Sequence, residues 1–136
     1  MPEVRILSTP EKRWISRSLV KILLFERRDY KSAAEVISSS ENIFAQSCEE
    51  IEAKMDALAA DRSVANALAL QMVLEKTRAE IEAHTAWEAE VLEELAEDKH
   101  QLQEAAPVRM AFAAAAEIRK MVTDIVEVTY ATNFSS

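Results

Sequence analysis

Glycine is absent from the 136 residues of the chain, and Cys48 is its only cysteine. Tight hairpin turns and phosphate-binding loops depend on glycine, because glycine adopts positive φ at little steric cost. The missing glycine therefore argues against β-hairpin folds, Rossmann folds and P-loop enzymes. A single thiol excludes an intramolecular disulfide and a cysteine-rich zinc site.

Long apolar runs are also missing from the sequence. The apolar run at residues 19–25 is short, is interrupted by Lys21, and is not followed by a small-residue cleavage site of the secretory type. No run reaches the about 20 apolar residues that a membrane-spanning helix needs. Together with a lone thiol, which suits a reducing compartment, this pattern predicts a cytoplasmic protein without a membrane span.

The composition is that of a folded globular protein, with 49% apolar residues, 29% charged residues and 23 alanines. The length predicts a single domain over residues 1–136. The net charge of −8 is unevenly distributed. Residues 1–31 carry eight basic and four acidic side chains, residues 32–105 carry five and seventeen, and residues 106–136 carry three of each. The domain thus has a basic N-terminal region, an acidic body and a neutral, apolar C-terminal region.

Apolar residues recur with helical periodicity in four segments, and no segment shows sustained strand alternation. The predicted helices are residues 10–28, 33–60, 64–104 and 107 onward. Ser32 heads a capping-box pattern for the second helix, and the serines at 38–40 favour a break within it. If the third helix is continuous, it is about 60 Å long. The sequence therefore predicts an all-α antiparallel bundle of about four helices with one long, coiled-coil-like helix.

The fourth predicted helix carries two neighbouring apolar stripes. Its first stripe comprises Met110, Ala114, Ile118, Met121, Ile125 and Val128, and its second comprises Val108, Phe112, Ala115, Val122 and Val126. A helix that is apolar over more than half its circumference is usually buried between several partners. We therefore expect a homo-oligomer, whose interface comprises Met110, Ile118, Met121, Val122, Ile125 and Val128.

His84 lies in the middle of the apolar face of the third helix, with Glu80 and Glu88 one turn to either side. Two carboxylates and an imidazole at this spacing are compatible with a metal site or a pH-sensitive interface. They are more typical of a structural polar layer that determines helix register. A metal would need further ligands from another helix, for which Glu41 and Glu52 are candidates.

A basic stripe runs along the first helix and comprises Arg13, Arg17, Lys21 and Arg28. Such a stripe is compatible with binding to phosphate groups of a nucleic acid. It is also typical of a solvated helix face docked on acidic neighbours. No recognised nucleic-acid motif accompanies it.

The chain offers little chemistry for catalysis, since two histidines and one cysteine do not assemble into a nucleophile–base arrangement. We therefore expect a non-enzymatic helical protein–protein interaction module without a cofactor. Such a module would be an adaptor, a chaperone or an assembly accessory factor. We expect it to self-associate and to contact another protein through helical surfaces. One alternative is a metal-binding bundle that uses His84 with Glu80 and Glu88. The other is a nucleic-acid-binding accessory protein that uses the basic face of the first helix.

Overall fold

A computed structural model describes the backbone of residues 10–134 and the side chains of residues 16–134. This part of the chain is helical throughout apart from short connections, and it contains no strand. The helices are α1 (Pro10–Lys21), which continues into a π-helical turn (Ile22–Glu26), α2 (Tyr30–Ser40), α3 (Asn42–Ala60), α4 (Val64–Ala96), α5 (Lys99–Glu104) and α6 (Ala106–Phe134). The predicted all-α fold and its one long helix are confirmed.

The connection between the π-helical turn and α2 is made without glycine. Arg28 takes the positive φ of 51° that the turn requires, and the Asp29 side chain accepts a hydrogen bond from the Ser32 amide at 3.1 Å. Asp29 is therefore the N-cap, and hydrogen bonding to Ser32 holds the pKa of its carboxyl below the usual range. The prediction that Ser32 begins this helix is wrong. Asp29, three residues earlier, already accepts a hydrogen bond from a free amide of the first turn, that of Ser32.

The second predicted helix is divided at Glu41, beside the three serines. Ser39 and Ser40 donate their hydroxyl groups to the carbonyls of Glu35 and Ile37, at 2.9 and 2.7 Å. These bonds compete with the regular helical pattern, which explains why the serines weaken the helix where the sequence favours a break. The division into α2 and α3 is thus confirmed.

The third predicted helix is also divided. Ser63 caps α4 by accepting a hydrogen bond from the Asn66 amide at 3.1 Å. The helix ends at Ala96, and Asp98 caps α5 by accepting hydrogen bonds from the amides of His100 and Gln101. The 33 residues of α4 span about 50 Å, so the continuous helix of about 60 Å does not form.

Two apolar clusters form the core of the described residues. Trp87 of α4 contacts Phe112 of α6, whereas Arg78 of α4 pairs with Glu127 of α6, so these two helices are antiparallel. The first cluster comprises Val20, Leu24, Ala33, Ile37, Trp87, Val91, Leu95, Ala105, Val108 and Phe112. The second comprises Ile43, Phe44, Ile51, Leu58, Leu70, Val73, Leu74, Val122 and Val126.

Among the helices of the described residues, none combines the length and the apolar character that crossing a membrane requires.

Candidate functional site

A layer of polar side chains lies between the two apolar clusters. Along the chain, all of these residues except Glu88 fall between members of the first cluster and members of the second. The layer comprises Glu41, Thr77, Glu80, His84, Glu88 and Arg119; all are buried except Glu88, which is half-buried. We refer to these six residues as the polar layer. Steps of three and four residues along α4 bring Thr77, Glu80 and His84 to the same inward face.

Arg119 is the central cation of the polar layer. Its side chain is only 6% exposed, and its Nη2 atom donates a hydrogen bond to Glu88 Oε1 at 2.7 Å. Its Nη1 atom lies 3.9 Å from Glu41 Oε1. An uncompensated buried charge is strongly destabilising, so these two carboxylates stabilise the guanidinium inside the fold. The arginine thereby joins α6 to α4 and to the junction of α2 and α3.

Glu41 is a buried carboxyl with incomplete hydrogen bonding. Its side chain is 7% exposed, its Oε1 atom lies 4.0 Å from His84 Nδ1, and its Oε2 atom accepts no hydrogen bond from the described residues. Burial raises the pKa of Glu41 to about 7; the nearby Arg119 opposes this rise, and the charge of Glu88 adds to it. This carboxyl therefore changes its charge near neutral pH.

His84 lies where the periodicity places it, in the buried face of α4. It is 3% exposed, and its ring packs edge-on against Phe44 with 5.1 Å between centroids. Glu80 is buried beside it, whereas Glu88 bonds to Arg119. Glu52, the other candidate ligand, is exposed. Across the described residues, no three His, Cys, Asp or Glu side chains are arranged to hold a metal ion.

Arg119 is a member of this layer that was not predicted from the sequence. The signal was available, because Arg119 follows Ala115 by four residues and precedes Val122 by three, on the second apolar stripe of α6. A charge within an otherwise apolar stripe indicates a buried ion pair, since charged residues are rarely buried without a partner. Its carboxylate partners are distant in sequence, since Glu88 precedes Arg119 by 31 positions.

The first stripe of the fourth predicted helix lies on the outer face of α6. We refer to Met110, Ala114, Ile118, Met121, Ile125 and Val128 as the α6 stripe. Its large side chains are exposed by 72% at Met110, 64% at Met121 and 63% at Val128. Val122, which the sequence analysis placed in the same interface, is only 4% exposed and belongs to the second apolar cluster of the chain itself. Val122 faces inward because the second stripe of α6 packs on the neighbouring helices.

A smaller apolar patch lies near the start of α4. Val64, Leu68 and Met72 are exposed by 77%, 53% and 70%, and steps of four residues place them on one face. This face is opposite to the one through which Leu70, Val73 and Thr77 contact the core.

The basic stripe of the first helix packs largely against the same chain. The Arg17 guanidinium lies 6.0 Å from the ring centre of Trp87, and Lys21 Nζ contacts Glu90 Oε1 at 2.8 Å. This hydrogen bond raises the pKa of Lys21. Arg28 is exposed, and the side chain of Arg13 lies outside the described residues. The contacts of Arg17 and Lys21 are those of a basic helix docked on the acidic α4.

The cavity beside the polar layer has a volume of about 10 Å³, which is room for about one water molecule. Its lining includes His84 and Ser40, together with apolar atoms of Val20 and Val36. This cavity is too small for an organic substrate. Comparison of the chain with protein-family models, curated proteins and solved structures finds no match.

Proposed function

We propose that the chain is a helical protein–protein interaction module that self-associates by packing the α6 stripe of one copy against the α6 stripe of a second. The observation that carries the proposal is the spacing of the exposed residues Ile118, Met121, Ile125 and Val128. Steps of three, four and three residues are those of the apolar seam through which two helices pair. The opposite face of α6 is already buried, and within residues 16–134 this seam stays exposed and is available to a partner.

The exposed surface is large enough to support a dimer. The five large side chains of the stripe have exposures from 38% to 72%, which together amount to about three fully exposed side chains. Burying an aliphatic side chain of this size contributes about 1.5–3 kcal/mol, so two copies gain roughly 8–16 kcal/mol. Association costs about 4–15 kcal/mol. The two ranges overlap, so the stripe supplies a driving force of the size that association requires.

The polar layer supports a structural role rather than a catalytic one in this proposal. Arg119 is paired with Glu88, and the layer joins α4 to α6 and to the junction of α2 and α3. Polar groups at fixed levels of an apolar bundle limit the registers in which the helices can pack. A fixed register is what a recognition surface on α6 needs.

The test is sedimentation velocity over a wide range of protein concentration. Wild-type protein should convert from monomer to dimer as concentration rises. Ile125→Asp should remain monomeric, because the dimer would bury an unpaired charge. Its helicity and the melting of its monomer should stay close to wild type, since Ile125 is 41% exposed in the monomer.

Ala113→Asp is the matched control, because Ala113 is exposed on α6 outside the stripe. This variant adds the same charge to the same helix and should dimerise like the wild type. A wild-type protein that stays monomeric at every concentration would contradict the proposal, as would an Ile125→Asp variant that dimerises normally.

A further inference from the structure

We infer that the junction of α2 and α3 is a pH-sensitive hinge, which is closed while the Glu41 carboxyl is neutral and opens when this carboxyl ionises and moves into solvent. Opening takes place within one copy of the chain, so it does not require self-association. Three features of the junction support the hinge: the break in the helix, the separation of the two apolar clusters, and the contacts of the buried carboxyl.

The backbone is weakly held at the junction. Glu41 is the single residue between the end of α2 at Ser40 and the start of α3 at Asn42. Its amide donates to the Ser38 carbonyl at 3.3 Å, which is long for a backbone hydrogen bond, and α3 begins without a side-chain cap. Because few bonds hold the backbone at this residue, the chain can bend here with little loss of helical hydrogen bonding.

The two helices that meet at the junction belong to different apolar clusters. On α2, Ala33 and Ile37 pack in the first cluster, whereas on α3, Phe44 and Ile51 pack in the second. The break in the helix lies between the two clusters, at the polar layer to which Glu41 belongs. The angle between α2 and α3 can therefore change at Glu41 while each helix keeps its own apolar contacts.

The carboxyl of Glu41 is buried at this break with poor compensation for a negative charge. Its Oε1 atom lies 3.9 Å from Arg119 Nη1 and 4.0 Å from His84 Nδ1, and both distances are too long for hydrogen bonds. Its Oε2 atom is buried without a hydrogen-bond partner among the described residues. A buried carboxyl with these contacts is far more costly when it is ionised than when it is neutral.

The charged and titratable groups around Glu41 come from three helices. They are Arg119 from α6, His84, Glu80 and Glu88 from α4, and Arg17 from α1. The nearest cation, Arg119, already donates to Glu88 Oε1 at 2.7 Å. Ionised Glu41 would compete with Glu88 for this guanidinium, and the two carboxylates would repel each other. Movement of Glu41 into water relieves both effects and leaves the pair of Arg119 and Glu88 intact.

Opening should become more favourable as the pH rises. Burial holds the pKa of Glu41 at about 7 in the closed junction, against an ordinary value of 4.5. The closed form therefore binds the proton more tightly, and loss of the proton favours the open form until the pH passes 7. The equilibrium constant for opening should rise about twentyfold between pH 5.5 and pH 7.5 and then level off.

The experiment is hydrogen–deuterium exchange with mass spectrometry, at two protein concentrations and with rates corrected for the intrinsic pH dependence of amide exchange. In wild-type protein, the protection of residues 40–44 should fall about twentyfold from pH 5.5 to pH 7.5. Glu41→Gln should keep these residues equally protected at both values, because glutamine stays neutral. Glu52→Gln, which makes the same change at an exposed site of α3, should behave like the wild type.

Urea separates exchange through the hinge from exchange through global unfolding. Residues 40–44 should be less protected than residues 70–77, which contain the buried face at the start of α4. Low urea should leave the protection of residues 40–44 unchanged, because a hinge exposes little surface. It should lower the protection of residues 70–77, because global unfolding exposes much more surface.

Three outcomes would overturn the hinge. Equal protection and equal urea dependence in the two segments would show that Glu41 reaches solvent only when the whole fold unfolds. A wild-type profile that is flat from pH 5.5 to pH 7.5 would show that the layer accommodates the ionised carboxyl, for instance by proton transfer to His84. An unchanged pH dependence in Glu41→Gln would assign the titration to another group of the layer.

Thiol labelling gives a second readout that does not use amide exchange. In a Cys48→Ser background, Ser40→Cys places a thiol beside the hinge at a site that is 8% exposed, and Ser38→Cys places one at an exposed site. The rate at which Ser40→Cys reacts with an aromatic disulfide, divided by the rate for Ser38→Cys, should rise about twentyfold over the same pH range. A ratio that stays constant with pH would contradict the hinge.

Discussion

Replacement of Glu41 by glutamine should change the pH dependence of folding stability. Burial raises the pKa of Glu41 to about 7 in the fold, against an ordinary value of 4.5. Because the folded pKa is the higher one, the neutral carboxyl stabilises the fold fully below pH 4.5, and this stabilisation is lost as the pH rises through 7. The difference between these two pKa values corresponds to about 3 kcal/mol of folding free energy, since a tenfold change in proton affinity is about 1.4 kcal/mol.

Glutamine has nearly the shape of the protonated carboxyl and stays neutral at every pH. Relative to wild type, Glu41→Gln should therefore gain up to about 3 kcal/mol of unfolding free energy between pH 4.5 and pH 8. The groups near Glu41, namely Arg119, His84 and Glu88, are unchanged by the substitution. The difference between the two stability curves therefore reports chiefly on Glu41.

The measurement is urea unfolding followed by circular dichroism across this pH range, repeated at two protein concentrations to separate folding from association. Glu52→Gln is the control, because it makes the same change at an exposed carboxyl of the neighbouring helix α3. It should track the wild type at every pH. A constant difference between Glu41→Gln and wild type, or a variant that loses stability relative to wild type as the pH rises, would refute the reasoning.

Further expected outcomes concern the core and the helix caps. Phe44→Ala should lower the unfolding free energy by about 3–5 kcal/mol, because the ring is fully buried and packs on His84. Urea unfolding measures this loss, and a value below about 1 kcal/mol would show that Phe44 is not a core residue. Ser63→Ala and Asp98→Ala should each cost about 1 kcal/mol in thermal unfolding, since each side chain accepts hydrogen bonds from the first free amides of a helix. Ser38→Ala, at an exposed position within a helix, should be close to neutral and serves as the control.

The helical period predicted which residues share a face, but not which neighbour each face would meet. Both stripes of α6 are apolar, so the pattern could not show that Val122 is buried within the chain while Met121 is exposed. That choice depends on how the other helices pack around α6. Five of the six residues predicted for the interface are therefore exposed, and the sixth, Val122, packs in the core.

The polar layer was recognised in part for a related reason. His84, Glu80 and Glu88 lie four residues apart on one helix, and this local spacing is visible in the sequence. Arg119 and Glu41 join them only because α6 and the junction of α2 and α3 pack against α4. The elevated pKa of Glu41 likewise arises from burial among these helices, which no local pattern determines.

The sequence by itself determined the all-α class and the break near Pro107, because helix propensity and proline act within a few residues of the backbone that they influence. The three-dimensional packing alone decided that Arg119 would pair with Glu88 and that the α6 stripe would face outward. These outcomes depend on contacts between residues far apart in the chain, whose geometry exists only once the helices have packed together.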